Sequence, residues 1–168
     1  PDVLMIGEIR DLETAEIAIR SALTGHLVFS TVHTNTACGA VTRLMDMGCA
    51  PYLLGSTLSL VIAQQLVRRL CSHCKRTRPL NERETQLLQL KTEMNICDAG
   101  GCMHCFDTGY RGRVGVFEML KVSQEVARAV TQGRSEPEIA AAAGASHQTL
   151  RMDLQDKVAA GITSPQEA

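Results

Sequence analysis

The stretch from Pro1 to Asn35 restricts the local fold more than any other part of this chain. Val3-Leu4-Met5-Ile6 is a short apolar run that stops at Gly7-Glu8-Ile9-Arg10-Asp11. Leu12, Ala15, Ile19, Ala22 and Leu23 then recur at helical spacing. Asp11 suits the N-cap of that helix, and Gly25 stands where a left-handed terminator belongs. A second apolar run, Leu27-Val28-Phe29, continues through Ser30-Thr31-Val32 and breaks at His33-Thr34-Asn35. Strand, helix and strand with short connections make a βαβ unit, two parallel strands with a right-handed crossover. Parallelism brings Gly7-Glu8 and Thr31 to Thr34 to one edge of the sheet, where ligands of open α/β sheets sit. His26 lies at the other end of the second strand, roughly 20 Å from His33 at ~3.3 Å per residue. His33 is therefore the histidine able to face a ligand.

An apolar strand ending in a carboxylate at such an edge is how nucleotide hydrolases orient or deprotonate an attacking water, or hold Mg²⁺ through water. Taken alone, Glu8 reads more simply as the start of a solvated loop. The whole string reverses that preference. LMIGEIRDLETAEIAIRSALTGHL followed by VFSTVHTNTA resembles the Walker B segment and histidine box of the secretion and type IV pilus traffic ATPases, which are RecA-like P-loop enzymes. The resemblance is near-continuous from Pro1 to about Cys74, resumes over Gly101 to Leu120 and returns weakly over Asp156 to Ser164. Its tetracysteine, GYRGR string and DKV-x-x-GIT ending are most similar to the E component of the type II general secretion pathway.

The resemblance implies that Glu8 is the catalytic glutamate and that His26 and His33 belong to the histidine box, His33 responding to the γ-phosphate. It associates Gly7, Arg10 and Thr31 with the nucleotide, Gly7 occupying the position where many P-loop enzymes carry an Asp. It also implies ATP and Mg²⁺ as cofactors, a homo-hexamer, inner-membrane secretion platform proteins as partners, and a cytoplasmic location peripheral to the inner membrane. No G-x-x-x-x-G-K-[ST] phosphate loop occurs in the sequence. The expectation is the C-terminal part of a longer protein-secreting ATPase, inactive alone, with Pro1 and Gln166-Glu167-Ala168 both reading as cut ends.

Charge and cysteine content narrow the partners. A net charge of −1 and a pI near 6.6 bring no bulk attraction to nucleic acid or anionic lipid. No apolar run approaches the ~20 residues that span a bilayer, so membrane association is expected only through partners. Seven cysteines, four of them in two C-x-x-C pairs, favour a reducing compartment and a metal site over a disulfide framework. Cys71, Cys74, Cys102 and Cys105 can present two thiolates from each turn to one tetrahedral Zn²⁺. Lys75, Arg76 and Arg78 offset the charge of such a centre. His73 and His104 read as spectators, and Cys38 and Cys49 as small buried residues.

The remaining pattern is mostly helical. One helix runs through Ala37, Val41, Leu44 and Met45, capped by Thr34 or Asn35 and ended by Gly48. A second opens at Pro51 and carries Leu54, Leu58, Val61-Ile62, Leu66 and Leu70 as a continuous stripe, with Arg68 and Arg69 as surface charge in its last turns. Between the cysteine pairs there are no strong strand signals, only a helix opened by the Asn81-x-x-Glu84 capping box before Leu87, Leu88, Leu90 and Met94. Asp107 to Glu118 reads as a Gly-rich turn and a strand, and helices follow over Ser123 to Gln132, Ser135 to Ala143 and Ser146 to Ala160. Glu138 to Leu150 also has the form of a DNA-reading helix-turn-helix, but Asp153 and Asp156 cancel Arg151 and Lys157 on its second helix.

The fold class expected is α/β, the C-terminal part of a RecA-like P-loop core with an inserted tetracysteine zinc module and a C-terminal helical region. The corresponding segments are 1–70 (partial ATPase core), 71–120 (zinc module) and 121–168 (helices). The function expected is ATP-driven type II secretion. The alternatives are a type IV pilus assembly ATPase and a zinc-containing helix-turn-helix module.

Overall fold

The structure, a computed structural model, describes residues 1–89 and 94–167. In chain order the elements are β1 (Val3–Ile6), α1 (Leu12–Leu23), β2 (Leu27–Ser30), α2 (Ala37–Asp46), α3 (Pro51–Thr57), β3 (Leu60–Leu70), β4 (Arg76–Pro79), α4 (Glu82–Leu88), β5 (Asn95–Asp98), β6 (Tyr110–Lys121), α5 (Gln124–Thr131), α6 (Glu136–Ala143) and α7 (Leu150–Ala159). Short 3-10 turns lie at Met103–Cys105, Gly144–Ser146 and Pro165–Glu167.

The opening βαβ unit forms as the pattern requires. β1 and β2 are parallel, Val3 opposite Leu27 and Ile6 opposite Ser30. Asp11 caps α1 by accepting from Thr14 N at 2.8 Å, and Gly25 ends it with φ +99°, a backbone that an L side chain resists. α1 turns Ala15, Ala18 and Ile19 inward and leaves Leu12 and Leu23 exposed. The cap of α2 is Thr36, neither Thr34 nor Asn35, and its Oγ1 accepts from Gly39 N at 3.0 Å.

The helix expected from Pro51 to Leu70 stops at Thr57, and Leu60–Leu70 is a strand paired with β6. Leu58, Ile62, Leu66 and Leu70 recur every four residues, a spacing that fits one face of a strand as well as of a helix. Pairing decided the matter, since Val61, Ile62 and Val67 are β-branched and suit an extended chain. Within the strand Leu60, Ile62 and Leu66 are more than half exposed while Leu70 is buried. A second correction lies between the cysteine pairs, where β4 and β5 form an antiparallel pair with Arg76 opposite Asp98 and Pro79 opposite Asn95. The Asn81 capping box opens α4 as expected, while Leu90 lies outside the described residues.

The last helix also starts later than Ser146. Ser146 Oγ donates to Ala143 O at 2.7 Å, and Gln148 O accepts from Met119 N at 2.8 Å, which holds residue 148 extended against β6. Thr149 caps α7 instead, accepting from Met152 N at 3.2 Å.

Two compact units result, one of residues 1–63 with 118–148 and one of residues 64–117 with 149–168. The first is built on Val41, Leu54, Leu120, Val126, Val130 and Ile139. The second holds a smaller cluster of Leu80, Leu88, Ile96 and Val158. No helix among the described residues is long and apolar enough to cross a membrane.

In the second unit Arg78 ties three elements together. It donates to Glu84 (2.7 and 2.5 Å) at the start of α4 and to Asp98 on β5. Its hydrogen bonds are the main cause of a Glu84 pKa below the ordinary 4.5. A lowered carboxylate contributes stability that is complete above its unfolded pKa and lost as pH falls through its folded one. Arg78→Ala is expected to cost about 1–3 kcal/mol at neutral pH, between exposed and buried ion pairs, and to flatten the loss of melting temperature on acidification below about pH 4.5. Thermal melts of both proteins across that range check it.

Candidate functional site

The site forms where the two parallel strands end. Ile9 N donates to Thr31 O at 2.9 Å, and Thr31 Oγ1 donates to Gly7 O at 2.6 Å. These bonds continue the β1–β2 pairing past its last regular residues and bring the two polar tails together. His33 Nε2 lies 3.1 Å from Glu8 Oε1. Arg10 takes the other oxygen, with Nη2 at 2.6 Å and Nε donating at 2.7 Å to Glu8 Oε2. The Glu8 side chain is 22% exposed and that of His33 is 87% exposed, so the carboxylate is half-sheltered and the imidazole open to solvent. The Arg10 hydrogen bond, opposed by desolvation and helped by the charges of Arg10 and His33, holds the Glu8 carboxyl below its ordinary value. Glu8 is thus ionised at neutral pH, able to accept a proton or orient a water rather than donate.

Gly7 contributes its carbonyl, and a Cβ there would meet nothing within 4 Å, so packing does not demand glycine. His26 stands elsewhere, its Nδ1 3.1 Å from both Ser21 O and Thr24 Oγ1 at the end of α1. The structure brings Glu8, Arg10, Thr31 and His33 together and leaves His26 at the far end of β2.

A second site belongs to the other unit. Cys74 N and Lys75 N donate to Cys71 O, and Cys105 N and Asp107 N to Cys102 O, so each C-x-x-C pair is a tight turn. Cys71 N donates to Gly109 O at 2.9 Å, which ties the first turn to the second. Sulfur separations are 3.9 Å for Cys71 and Cys102, and 3.7 Å for both Cys74 with Cys105 and Cys102 with Cys105. All four sulfurs lie within 4.8 Å of one another. Tetrahedral Zn–S bonds of about 2.3 Å separate sulfurs by about 3.8 Å, so these thiols fit zinc closely. The His73 and His104 rings stack on each other at 4.1 Å between centroids.

Mainly through burial, the Cys74 thiol is pushed up to about 12. Cys105 is also raised by burial, but backbone hydrogen bonds at Cys102 and Gly109 bring it down to about 7. Cys38 and Cys49 are buried core thiols, and burial first, then Glu118 and Glu136, pushes Cys38 to about 11.

Sequence reasoning missed one group. Cys38, Glu118 and His147 present atoms within 4.8 Å of one another, and Glu118 is 5% exposed. The available signal was an acidic residue at an inward position of the alternating β6 pattern.

The family described as "Type II/IV secretion system protein" matches residues 1–168. The chain belongs to that family. Type II secretion system protein E of Klebsiella pneumoniae is 46% identical over 167 residues, covering 99% of this chain and 34% of that protein. Type II secretion system ATPase E of Vibrio cholerae serotype O1 is 46% identical over 169 residues, with the same shares covered. Type IV pilus assembly ATPase PilB of Acinetobacter baylyi is 46% identical over 176 residues, covering 99% and 30%. The chain thus spans about a third of the length of these relatives. Among solved structures, the pilus retraction motor PilT with bound ADP matches with a TM-score of 0.67 at 24% identity over 99% of this chain and 38% of that one. The Legionella pneumophila ATPase DotB matches at 0.66 and 23%, over 99% and 37%. These likenesses carry the fold alone, a mixed α/β arrangement of the class expected from the sequence.

The electrostatics of the first site predict one outcome directly. Arg10→Ala removes the largest cause of the lowered Glu8 pKa, so Glu8 is expected to titrate closer to 4.5. Carboxyl ¹³C shifts followed against pH in the two proteins measure the change.

Proposed function

We propose that this chain is part of a cytoplasmic ATPase that couples ATP hydrolysis to type II protein secretion, with type IV pilus assembly as the nearest alternative. Family membership supports the class, and one observation carries the chemistry: an ionised carboxylate and an exposed imidazole 3.1 Å apart at the carboxyl edge of a parallel strand pair. Glu8 orients or deprotonates the water that attacks the γ-phosphate. His33, open to solvent on its other side, responds to the γ-phosphate by exchanging its contact with Glu8 for a phosphate oxygen. Arg10 holds the second Glu8 oxygen in place, and Thr31 fixes the edge through the Gly7 carbonyl. Mg²⁺ bound with the nucleotide would neutralise phosphate charge, and Glu8 is the carboxylate able to hold it through water.

ATP binding also requires a phosphate loop, which this sequence does not contain, and is assigned to the full-length protein in a homo-hexamer. The partners are inner-membrane secretion platform proteins, and membrane contact runs through them. The four thiolates hold one structural Zn²⁺, closing a unit whose apolar cluster is small. The DNA-reading alternative is weaker because the polar residues of α7 are engaged within its own unit. Asp153 accepts from Phe117 N at 2.8 Å and from Lys157, and Arg151 donates to Leu87 O.

Glu8→Gln in the full-length protein is expected to lower kcat by about 100-fold or more while nucleotide Kd stays within about threefold; wild-type turnover would remove Glu8 from its role. Elemental analysis of freshly purified, reduced protein is expected to find one zinc per chain, lost in Cys74→Ser together with the melting transition of the second unit. Protein that is folded and metal-free would defeat the zinc assignment.

A further inference from the structure

Residues 31–36, which carry His33, have no regular secondary structure, so whatever holds the two ends of this segment determines where the imidazole stands. The upstream end is held locally by the Thr31 bonds to Ile9 N and Gly7 O. The downstream end is the N-terminus of α2, and side chains from far along the chain hold it. Glu118 Oε1, from β6, accepts from Ala37 N at 2.9 Å and lies 3.0 Å from His147 Nε2. Glu136 Oε1, from α6, accepts from Thr36 Oγ1 at 2.5 Å, while the same Oγ1 accepts from Gly39 N. Thr34 Oγ1 donates to Thr36 O at 3.2 Å and closes the segment on this anchor.

All these residues belong to one compact unit. Two carboxylates suit this place, because the first turn of a helix offers unpaired N–H groups and a positive dipole end. The same dipole disfavours a cation, so the nearness of Cys38 to Glu118 and His147 is better explained by anchoring than by metal binding.

We propose that Glu118 and Glu136 are positioning residues for His33, acting through the first turn of α2. The proposal rests on the role given to His33 above and deepens it. Sequence separations of 81 and 100 residues between partners make the His33 segment report on β6 and α6. Any displacement of those elements moves the imidazole relative to Glu8, because Thr36 stands three residues from His33. A local loop without this anchor would be indifferent to them.

The test uses the full-length protein and two readouts, hydrogen exchange by mass spectrometry and steady-state ATP turnover. Thr36→Ala removes the donor to Glu136 and the cap on Gly39, and Thr36→Ser keeps both. Glu118→Ala strips the acceptor from Ala37 N and His147, and Glu118→Gln keeps an oxygen there. Thr36→Ala and Glu118→Ala are expected to speed exchange in peptides covering residues 31–37 about fivefold or more relative to peptides of β1. They are expected to lower kcat about tenfold with nucleotide Kd within about twofold, and the Ser and Gln variants to restore both readouts. In a His33→Ala background the kcat penalty of Thr36→Ala is expected to vanish.

Unchanged exchange over 31–37 would overturn the proposal, as would a Thr36→Ala penalty equally large with and without His33. A second zinc per chain lost in Cys38→Ala would overturn it too. Should Glu118→Ala fail to fold, the Thr36 pair decides the outcome alone. Wild-type turnover in His33→Ala would count against the function assigned to His33, and the exchange readout would still decide whether the anchor positions the segment.

Discussion

Two hydrogen bonds beyond the regular pairing of β1 and β2 underlie the rest of the site. Ile9 N to Thr31 O and Thr31 Oγ1 to Gly7 O carry the parallel register past Ile6 and Ser30, where the strands end. Without them the tails after each strand would diverge, since nothing in the strand pairing itself constrains residues 7–9 or 31–33. With them, a half-sheltered carboxylate and an exposed imidazole share one edge. The hydroxyl of a single threonine therefore does what a longer sheet would otherwise do.

The electrostatics follow from that closeness. Glu8 has two oxygens and two cationic or potentially cationic neighbours, one for each. Arg10 lowers the carboxyl pKa and holds one oxygen, and the imidazole is the neighbour with a solvent-facing side. The site thus has one fixed partner and one that can exchange. In the second unit the same chemistry serves architecture. Arg78 joins β4, α4 and β5 through two carboxylates, and four thiols gather at tetrahedral spacing. Both arrangements supply cross-links to a unit whose buried apolar cluster has few members.

Much of this was legible from residue order. The βαβ unit, the Asp11 cap, the terminating Gly25 and the pairing of Glu8 with His33 at one edge all follow from local chemistry plus the rule that parallel strands share an end. The two C-x-x-C turns are equally local, because each turn is complete within four residues. Family membership agrees with the string that carried the resemblance. Less legible was the segment after Pro51, where a four-residue apolar spacing satisfies helix and strand alike and only the presence of β6 chose between them. The missed β4–β5 pair has the same origin: Arg76–Pro79 and Asn95–Asp98 carry little β propensity and become strands through each other.

What this sequence determined unaided had a short reach: the Asp11 cap and the Asn81 capping box, the two cysteine turns, and the side chains that gather at the ends of β1 and β2. The caps of α2 and α7 fell instead on Thr36 and Thr149. Tertiary structure decided the rest, since a partner 80 or 100 residues away leaves no periodic trace. Glu118 and Glu136 look like ordinary charged residues in sequence, and only folding places their oxygens on the first turn of α2. The physical reason is that hydrogen bonds are satisfied by whatever lies within about 3 Å, and chain order alone does not specify that distance between segments so far apart.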